Sequence, residues 1–321
     1  MRKLLLGTTA LAAAATLSAN VALADVSISG YFEWKYKSQS SDIAANDGTT
    51  IDSDSEIAFK FSNKTDSGLT IGMTTEMFAD GGDSDIEESY LHVSGGFGKI
   101  VLGVDDGVGD YYGVSASDLP AEEVFAIGTS ASIAVKNADY SNLSSNTDVV
   151  SYHIPAMGGL TGGISFHDSG ATGSADSTEV AFKYALDAGG ANVTIGGATG
   201  TTENSTQDID TQVIGVKVSS GNITAAVSQS THEASGSDEE SNGASVSFKI
   251  SDGMTLVAHT TETDDSSTSE EYTNTGVEVQ YTIASGLTAY LNVEDYDYKV
   301  GTSGGNADSG TVSQLTIKAT F

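Results

Sequence analysis

The chain has 321 residues, with 13 basic against 44 acidic side chains, no cysteine, two prolines and 37 glycines. A net charge of −31 argues against nucleic acid and anionic lipid surfaces as partners, and the missing cysteine excludes a disulfide framework and thiol catalysis. Recurrent short alternations of Val, Ile, Leu, Phe and Tyr exclude a disordered chain despite the Ser, Thr and Gly content.

In chain order, the first expected element is an export signal over residues 1–24. Arg2 and Lys3 form its positive region, residues 4–17 its apolar stretch, and Ala22-Leu23-Ala24 its small-residue cleavage site. The apolar run is shorter than the roughly 20 residues a membrane-spanning helix needs. Cleavage would start the mature chain at Asp25 and leave 11 basic against 44 acidic residues, a charge of −33 once Arg2 and Lys3 are removed. No linker or change of periodicity follows, so residues 25–321 are expected to form one domain.

A strand crossing an apolar band about 25 Å tall at a tilt of about 40° needs roughly ten residues, alternating apolar and polar. The first match is 26–37, where Val26, Ile28, Phe32, Trp34 and Tyr36 share one face and Ser27, Ser29, Glu33, Lys35 and Lys37 the other. Further matches fall at 53–63, 69–79, 86–95, 99–105, 147–155, 159–167, 178–186 and 190–199. The series continues at 211–220, 222–231, 242–251, 253–262, 273–282, 286–296 and 311–321, giving sixteen strands. Connections alternate between tight turns (64–68, 96–98, 156–158, 187–189, 221, 252, 283–285) and longer polar loops (38–52, 80–85, 106–146, 168–177, 200–210, 232–241, 263–272, 297–310). A soluble β-sandwich also alternates, but it rarely keeps such a rhythm, and an open sheet of this size would expose edge strands. The expected fold is an all-β, transmembrane, antiparallel up-and-down barrel with short periplasmic turns, long outer loops and both termini periplasmic.

Charges facing lipid cost roughly 2–4 kcal/mol near the bilayer midplane, so the phase of the charged residues tests that expectation. Lys35, Lys37, Lys60, Lys99, Lys183, Lys217, Lys249 and Lys318 fall opposite the apolar rows, together with Glu33, Glu56, Glu76, Glu88, Glu179, Glu278 and Glu294. Small residues share that face (Thr70, Gly72, Thr161, Gly163, Thr194, Gly196, Thr224, Ala226, Ser245 and Ser247), which favours a water-filled pore over a plugged one. Aromatic residues near strand ends, among them Trp34, Tyr36, Phe61, Phe78, Phe166, Tyr184, Tyr281 and Phe321, suit interfacial girdles.

The third long loop, 106–146, is several times longer than most other connections, and loops of that length are usually functional or disordered. It carries Asp106, Asp110, Asp118, Glu122 and Glu123, and its apolar stretches 124–127 and 133–135 are able to pack against a wall. We expect it to fold into the lumen and narrow the pore with its carboxylates.

The run Thr65-Asp66-Ser67-Gly68-Leu69, the turn Gly96-Phe97-Gly98-Lys99 before Leu102-Gly103, the acidic loop that follows and the terminal Phe321 resemble Gram-negative general porins of the purple-bacterial type. The resemblance implies a homotrimer of sixteen-stranded barrels, each constricted by its third loop. That family sets arginines across from the acidic loop, whereas residues 25–321 contain no arginine. By position Lys35, Lys60 and Lys318 stand in as the basic wall, with flexible point charges in place of a planar fork.

The expected function is passive diffusion of ions and small hydrophilic solutes through an outer-membrane channel that prefers cations. A substrate-preferring channel and a non-conducting structural or adhesive envelope barrel are the alternatives. No enzyme activity is expected, since His92, His153, His167, His232 and His259 are scattered and show no nucleophile motif, although closure could assemble a Ser/His pair. No cofactor is required. Carboxylates at Asp80/Asp83/Asp85, Asp238/Glu239/Glu240 and Asp264/Asp265/Glu270/Glu271 are candidates for Ca²⁺ or Mg²⁺, with screened acidic loops the plainer reading.

Overall fold

The computed structural model describes residues 25–79, 86–121, 138–139, 147–168, 176–203, 208–301 and 307–321. The expected signal segment lies outside them. Sixteen strands pair with their chain neighbours, all antiparallel, and β1 pairs with β16 to close the barrel. They are β1 (Asp25–Ser41), β2 (Gly48–Lys64), β3 (Thr70–Phe78), β4 (Ile86–Gly95), β5 (Gly98–Asp105), β6 (Thr147–His153), β7 (Leu160–Asp168) and β8 (Asp176–Asp187). The second half holds β9 (Asn192–Glu203), β10 (Ile209–Ser220), β11 (Ile223–Ala234), β12 (Ser237–Ser251), β13 (Met254–Asp265), β14 (Glu270–Ala284), β15 (Leu287–Lys299) and β16 (Asp308–Thr320).

Period-two alternation decides which face each side chain takes. On β1 Val26, Ile28, Phe32 and Tyr36 are exposed while Glu33 and Gln39 are buried, and on β14 Val277 and Tyr281 are exposed around a fully buried Glu278. The apolar outer face suits lipid. Pairing accounts for the backbone groups that a bilayer could not satisfy. Among the described residues no helix is long and apolar enough to cross a membrane.

The inner-side turns sit where the sequence places them. In the second turn Gly98 has φ +112° and its missing Cβ would stand 2.2 Å from the carbonyl oxygen of His153, so only glycine lets β5 and β6 close there. Tyr152 donates to the Phe97 carbonyl (2.7 Å), tying the same turn to β6. At the seam, the Phe321 amide donates to the Gly30 carbonyl (3.0 Å).

The outer side corrects several expected boundaries. Residues expected in loops 38–52, 232–241 and 263–272 continue as paired strand, so that the β1/β2, β11/β12 and β13/β14 hairpins turn only at 42–47, 235–236 and 266–269. These extensions are built mostly of Ser, Thr, Asp and Glu, which pair well above the lipid band but carry no apolar alternation to mark them. The wall is consequently uneven: β3 to β7 span 7 to 10 residues, whereas β8 to β16 span 12 to 15. Phe78 is a second correction. It shares the phase of Gly72 and Thr74, which are buried while Ile71 and Met73 are exposed, and so it does not belong to an outward girdle.

Candidate functional site

After β5 the chain forms one short helix, α1 (Val108–Tyr112), and a 3-10 turn at Ala116–Asp118 whose start is capped by Ser115 accepting from the Ser117 amide (3.0 Å). This segment is fastened, point by point, to side chains on the face opposite the lipid-facing rows. The Val108 amide donates to Ser165 Oγ on β7 (3.1 Å) and the Gly109 amide to Glu179 Oε2 on β8 (3.1 Å). Farther along, the Ala116 amide donates to Ser228 Oγ on β11 (2.9 Å), and Ser245 Oγ on β12 donates to the Ala116 carbonyl (2.6 Å). At the far end the Ala121 amide donates to Glu278 Oε1 on β14 (3.0 Å), and the same carboxylate accepts from Gln280 Nε2 (2.7 Å) and Asn292 Nδ2 (3.2 Å). Ala138 is held likewise, its amide donating to Ser241 Oγ (3.0 Å) and its carbonyl accepting from Ser228 Oγ (2.6 Å).

Packing follows the same path. Val108 is buried with Ala181, Ala198 and Val213, and small inward residues make the room. A Cβ on Gly163 would meet Val108 at 2.9 Å, one on Gly196 would meet Val114 at 2.5 Å, and one on Gly215 would stand 1.9 Å from the Val114 carbonyl oxygen. The small residues at Gly163, Gly196 and Ser245, expected to line open water, instead seat this segment. Close packing tolerates no extra atom at such contacts.

Histidine and tyrosine complete the fastening. Tyr111 donates to Asp105 Oδ1 (2.8 Å), and Tyr112 OH pairs with His153 Nδ1 (2.8 Å), whose Nε2 meets Ser151 Oγ (3.0 Å). His167 similarly meets Ser165 Oγ (3.2 Å) and Thr147 Oγ1 (3.1 Å). Two Ser/His pairs thus form, each between residues two apart on one face of a single strand and neither by closure of the barrel. Both serines are buried (Ser151 1% and Ser165 0% exposed), and neither lies on the lipid-facing surface that a lipase would need. They serve as contacts between wall and loop.

Asp106 is half-buried at the start of the loop, and Asp110 keeps a side chain open to solvent. Surrounding protein, followed by the carboxylates of Asp106, Asp139 and Asp118, nevertheless pushes the Asp110 carboxyl up to about 6, with Lys183 pulling the other way. Asp118 pairs with Lys217 on β10 (2.7 Å), and Lys183 on β8 donates to the Tyr111 carbonyl (2.9 Å). Glu122 and Glu123 lie outside the described residues. On the expected basic wall, Lys35 (2.7 Å) and Lys318 both pair with Glu33, and Lys60 pairs separately with Glu76 (3.4 Å). Closure therefore brings Lys35 and Lys318 together on one carboxylate and leaves Lys60 with another. The loop contacts on Ser165, Glu179, Ser228, Ser245 and Glu278 were not singled out as such from sequence. Their only signal was an inward phase, which dozens of residues share.

The carboxylates considered for divalent ions are split by the strands. Glu240, Asp264 and Glu271 share the outer phase, while Glu239, Asp265 and Glu270 are buried on the inner one. Asp265 Oδ1 caps its own hairpin, accepting from the amides of Ser267 (2.8 Å) and Thr268 (3.2 Å). Among the described residues no group of three His, Asp or Glu side chains is arranged to hold a metal ion. Asp80, Asp83 and Asp85 lie outside them.

A family model described as Gram-negative porin matches residues 7–311. No curated protein matches the chain. Among solved structures, the trimer form of OmpT, an outer membrane protein of Vibrio cholerae, has a TM-score of 0.71 at 16% identity over 93% of this chain and 99% of that one. An anion-selective porin from Comamonas acidovorans gives 0.66 at 18% identity (93% and 100% covered), and a mutant of the Rh. blastica porin 0.67 at 15% (92% and 100%). At these identities the likeness concerns the fold.

Proposed function

Because this chain belongs to the Gram-negative porin family, whose members form outer-membrane channels for passive diffusion, we propose that its own pore prefers cations. In this reading the third loop folds into the lumen, and Asp106, Asp110 and Asp118, with Glu122 and Glu123, set the field at its narrowest part. The observation that carries the proposal is charge matching on the wall. Lys35 and Lys318 answer to Glu33, Lys60 to Glu76 and Lys217 to Asp118, each within an ion pair. The positive wall is thus compensated in large part, with Lys35 and Lys318 sharing the one Glu33 and Lys217 drawing on Asp118, and the acidic excess of the chain that remains acts on passing ions. The fastening of residues 108–121 to wall side chains from β7 to β14 supports the loop's place.

Lysine differs from the arginine of the resembled family in a way that matters here. Its ammonium is a compact charge on a flexible stem, so a glutamate beside it takes up much of its field. Export by the signal over 1–24, traffic of small hydrophilic solutes and assembly as a homotrimer belong to the same proposal. The trimer form of the Vibrio cholerae protein supports the last of these. No cofactor is required.

Reconstitution in planar bilayers tests the proposal. In a salt gradient the reversal potential should have the sign of cation preference and be largest at low salt, where the Debye length is about 30 Å at 0.01 M. A reversal potential of the opposite sign overturns the selectivity. Absence of any step conductance would favour a non-conducting envelope barrel instead.

A further inference from the structure

Gln314, Lys37 and Thr50 are directly opposed across β16, β1 and β2, and Thr316, Lys35 and Asp52 form the next rung. Lys35, Lys37, Thr50, Ile51, Asp52 and Gln314 line a recess of about 500 Å³ toward the outer hairpins. Lys37 lies four residues before the end of β1 at Ser41, away from the loop contacts on β7 to β14. Its charged neighbours are Asp52 and Glu294, which attract it, and Lys35, which repels it. Lys35 is itself drawn toward Glu33 (2.7 Å).

The recess thus presents an ammonium and a side-chain amide, which also donates to Thr316 Oγ1 (3.1 Å), on one rung and a carboxylate on the next. Diagonal positions on paired strands stand about 7–8 Å apart, a span that a flexible lysine and an aspartate can close around a molecule whose own carboxylate and ammonium are two bonds apart. A simple cation could use the carboxylates there but would leave the two lysines unanswered, and a simple anion would have to enter against the acidic field of the whole barrel. A zwitterion carries no net charge and escapes that field, yet it can satisfy both signs at the wall.

We propose that this recess is a binding subsite for free α-amino acids, with Lys37 and Gln314 taking the carboxylate and Asp52 the ammonium. The subsite rests on the reading of the barrel as an open channel, and it would give that channel a preferred class of solute.

Calorimetric titration of the full-length mature protein, folded in detergent, with glutamine as the probe reads the subsite without requiring conduction. Wild type should bind glutamine, and Lys37→Gln and Asp52→Asn should each weaken that affinity about tenfold, the effect of losing one charge-assisted hydrogen bond. Lys249→Gln, which alters a lysine of the same face paired with Asp252 beside an inner turn, should bind like wild type. The charge swap Lys37→Asp with Asp52→Lys should recover binding, which guards against a single variant that merely folds poorly. Equal affinity in all variants, or no heat from wild type, overturns the subsite. Step conductance in bilayers is measured beside it, and its absence would strike the channel reading while leaving the titration to judge the recess.

Discussion

Glu278 alternates along β14 with Val277 and Val279, and its inward phase lets it collect donors from the loop, from its own strand and from β15. A buried carboxylate needs such partners, because an ionised group away from water is costly unless it is hydrogen-bonded. Glu278→Gln keeps the volume but presents an amide nitrogen to existing donors, and should lower the stability of the folded barrel by about 1–3 kcal/mol. Thermal melting followed by circular dichroism in detergent measures this. Asp110 makes a prediction of a different kind. Its folded carboxyl is raised to about 6 from the ordinary 3.8, so between those values the folded chain holds a proton that the unfolded chain has lost. Raising the pH through that window therefore removes stability, and the penalty is complete above it. Asp110→Asn should stabilise the protein at pH 7 and leave it unchanged at pH 3 in paired melts. The same titration should reduce cation preference as pH falls through about 6, a loss that the asparagine variant would not show.

The loop and the wall strands are matched to each other as elements. Four inward glycines, Gly163, Gly196, Gly215 and Gly243, lie under Val108, Val114 and Ala116, and a methyl group at any of them would meet the segment at 3.0 Å or less. Gly215→Ala leaves the Val114 carbonyl no room and should both cost about 1–3 kcal/mol through overpacking and change the single-channel conductance. Gly48→Ala, where nothing lies within 4 Å, is the matched control and should change neither. The outer hairpins show a different element-scale effect. Their strands run on past the apolar band as polar ladders, held by contacts such as Thr263 donating to Ser241 Oγ (2.7 Å) and Ser237 donating to Asp265 Oδ2 (3.3 Å). Composition read as loop there because Ser, Thr, Asp and Glu serve turns and polar strands alike.

For the molecule as a whole, charge is the largest departure from balance. At the outer rim Glu240 opposes Asp264, and Asp264 opposes Glu271, on the outward face, with Lys299 as the cation at the end of the row (2.5 Å from Glu271). Directly opposed like charges destabilise a sheet. Raising ionic strength from about 0.01 M to about 0.15 M shortens the Debye length from about 30 Å to about 8 Å, so the apparent melting temperature in detergent should rise with salt. A melting temperature independent of salt would show that the rim charges are already neutralised by their neighbours.

How much was legible follows from the range of each interaction. Sixteen strands, their antiparallel order and the inward phase of the eight lysines and seven glutamates were set by local alternation against a lipid-facing surface, a signal carried by every second residue. The acidic content of the third loop was equally plain. Its seating was not, since Ala121 finds Glu278 across 157 residues and Ala116 finds Ser228 across 112. Closure of the barrel alone brings those partners onto one curved wall. Likewise the lysines named from their phase were correctly turned inward, but only the tertiary structure paired Lys35 and Lys318 on Glu33 and set Lys217 against Asp118. A period of two tells a side chain which face to take; which neighbour it meets depends on the stagger of strands far apart in the chain.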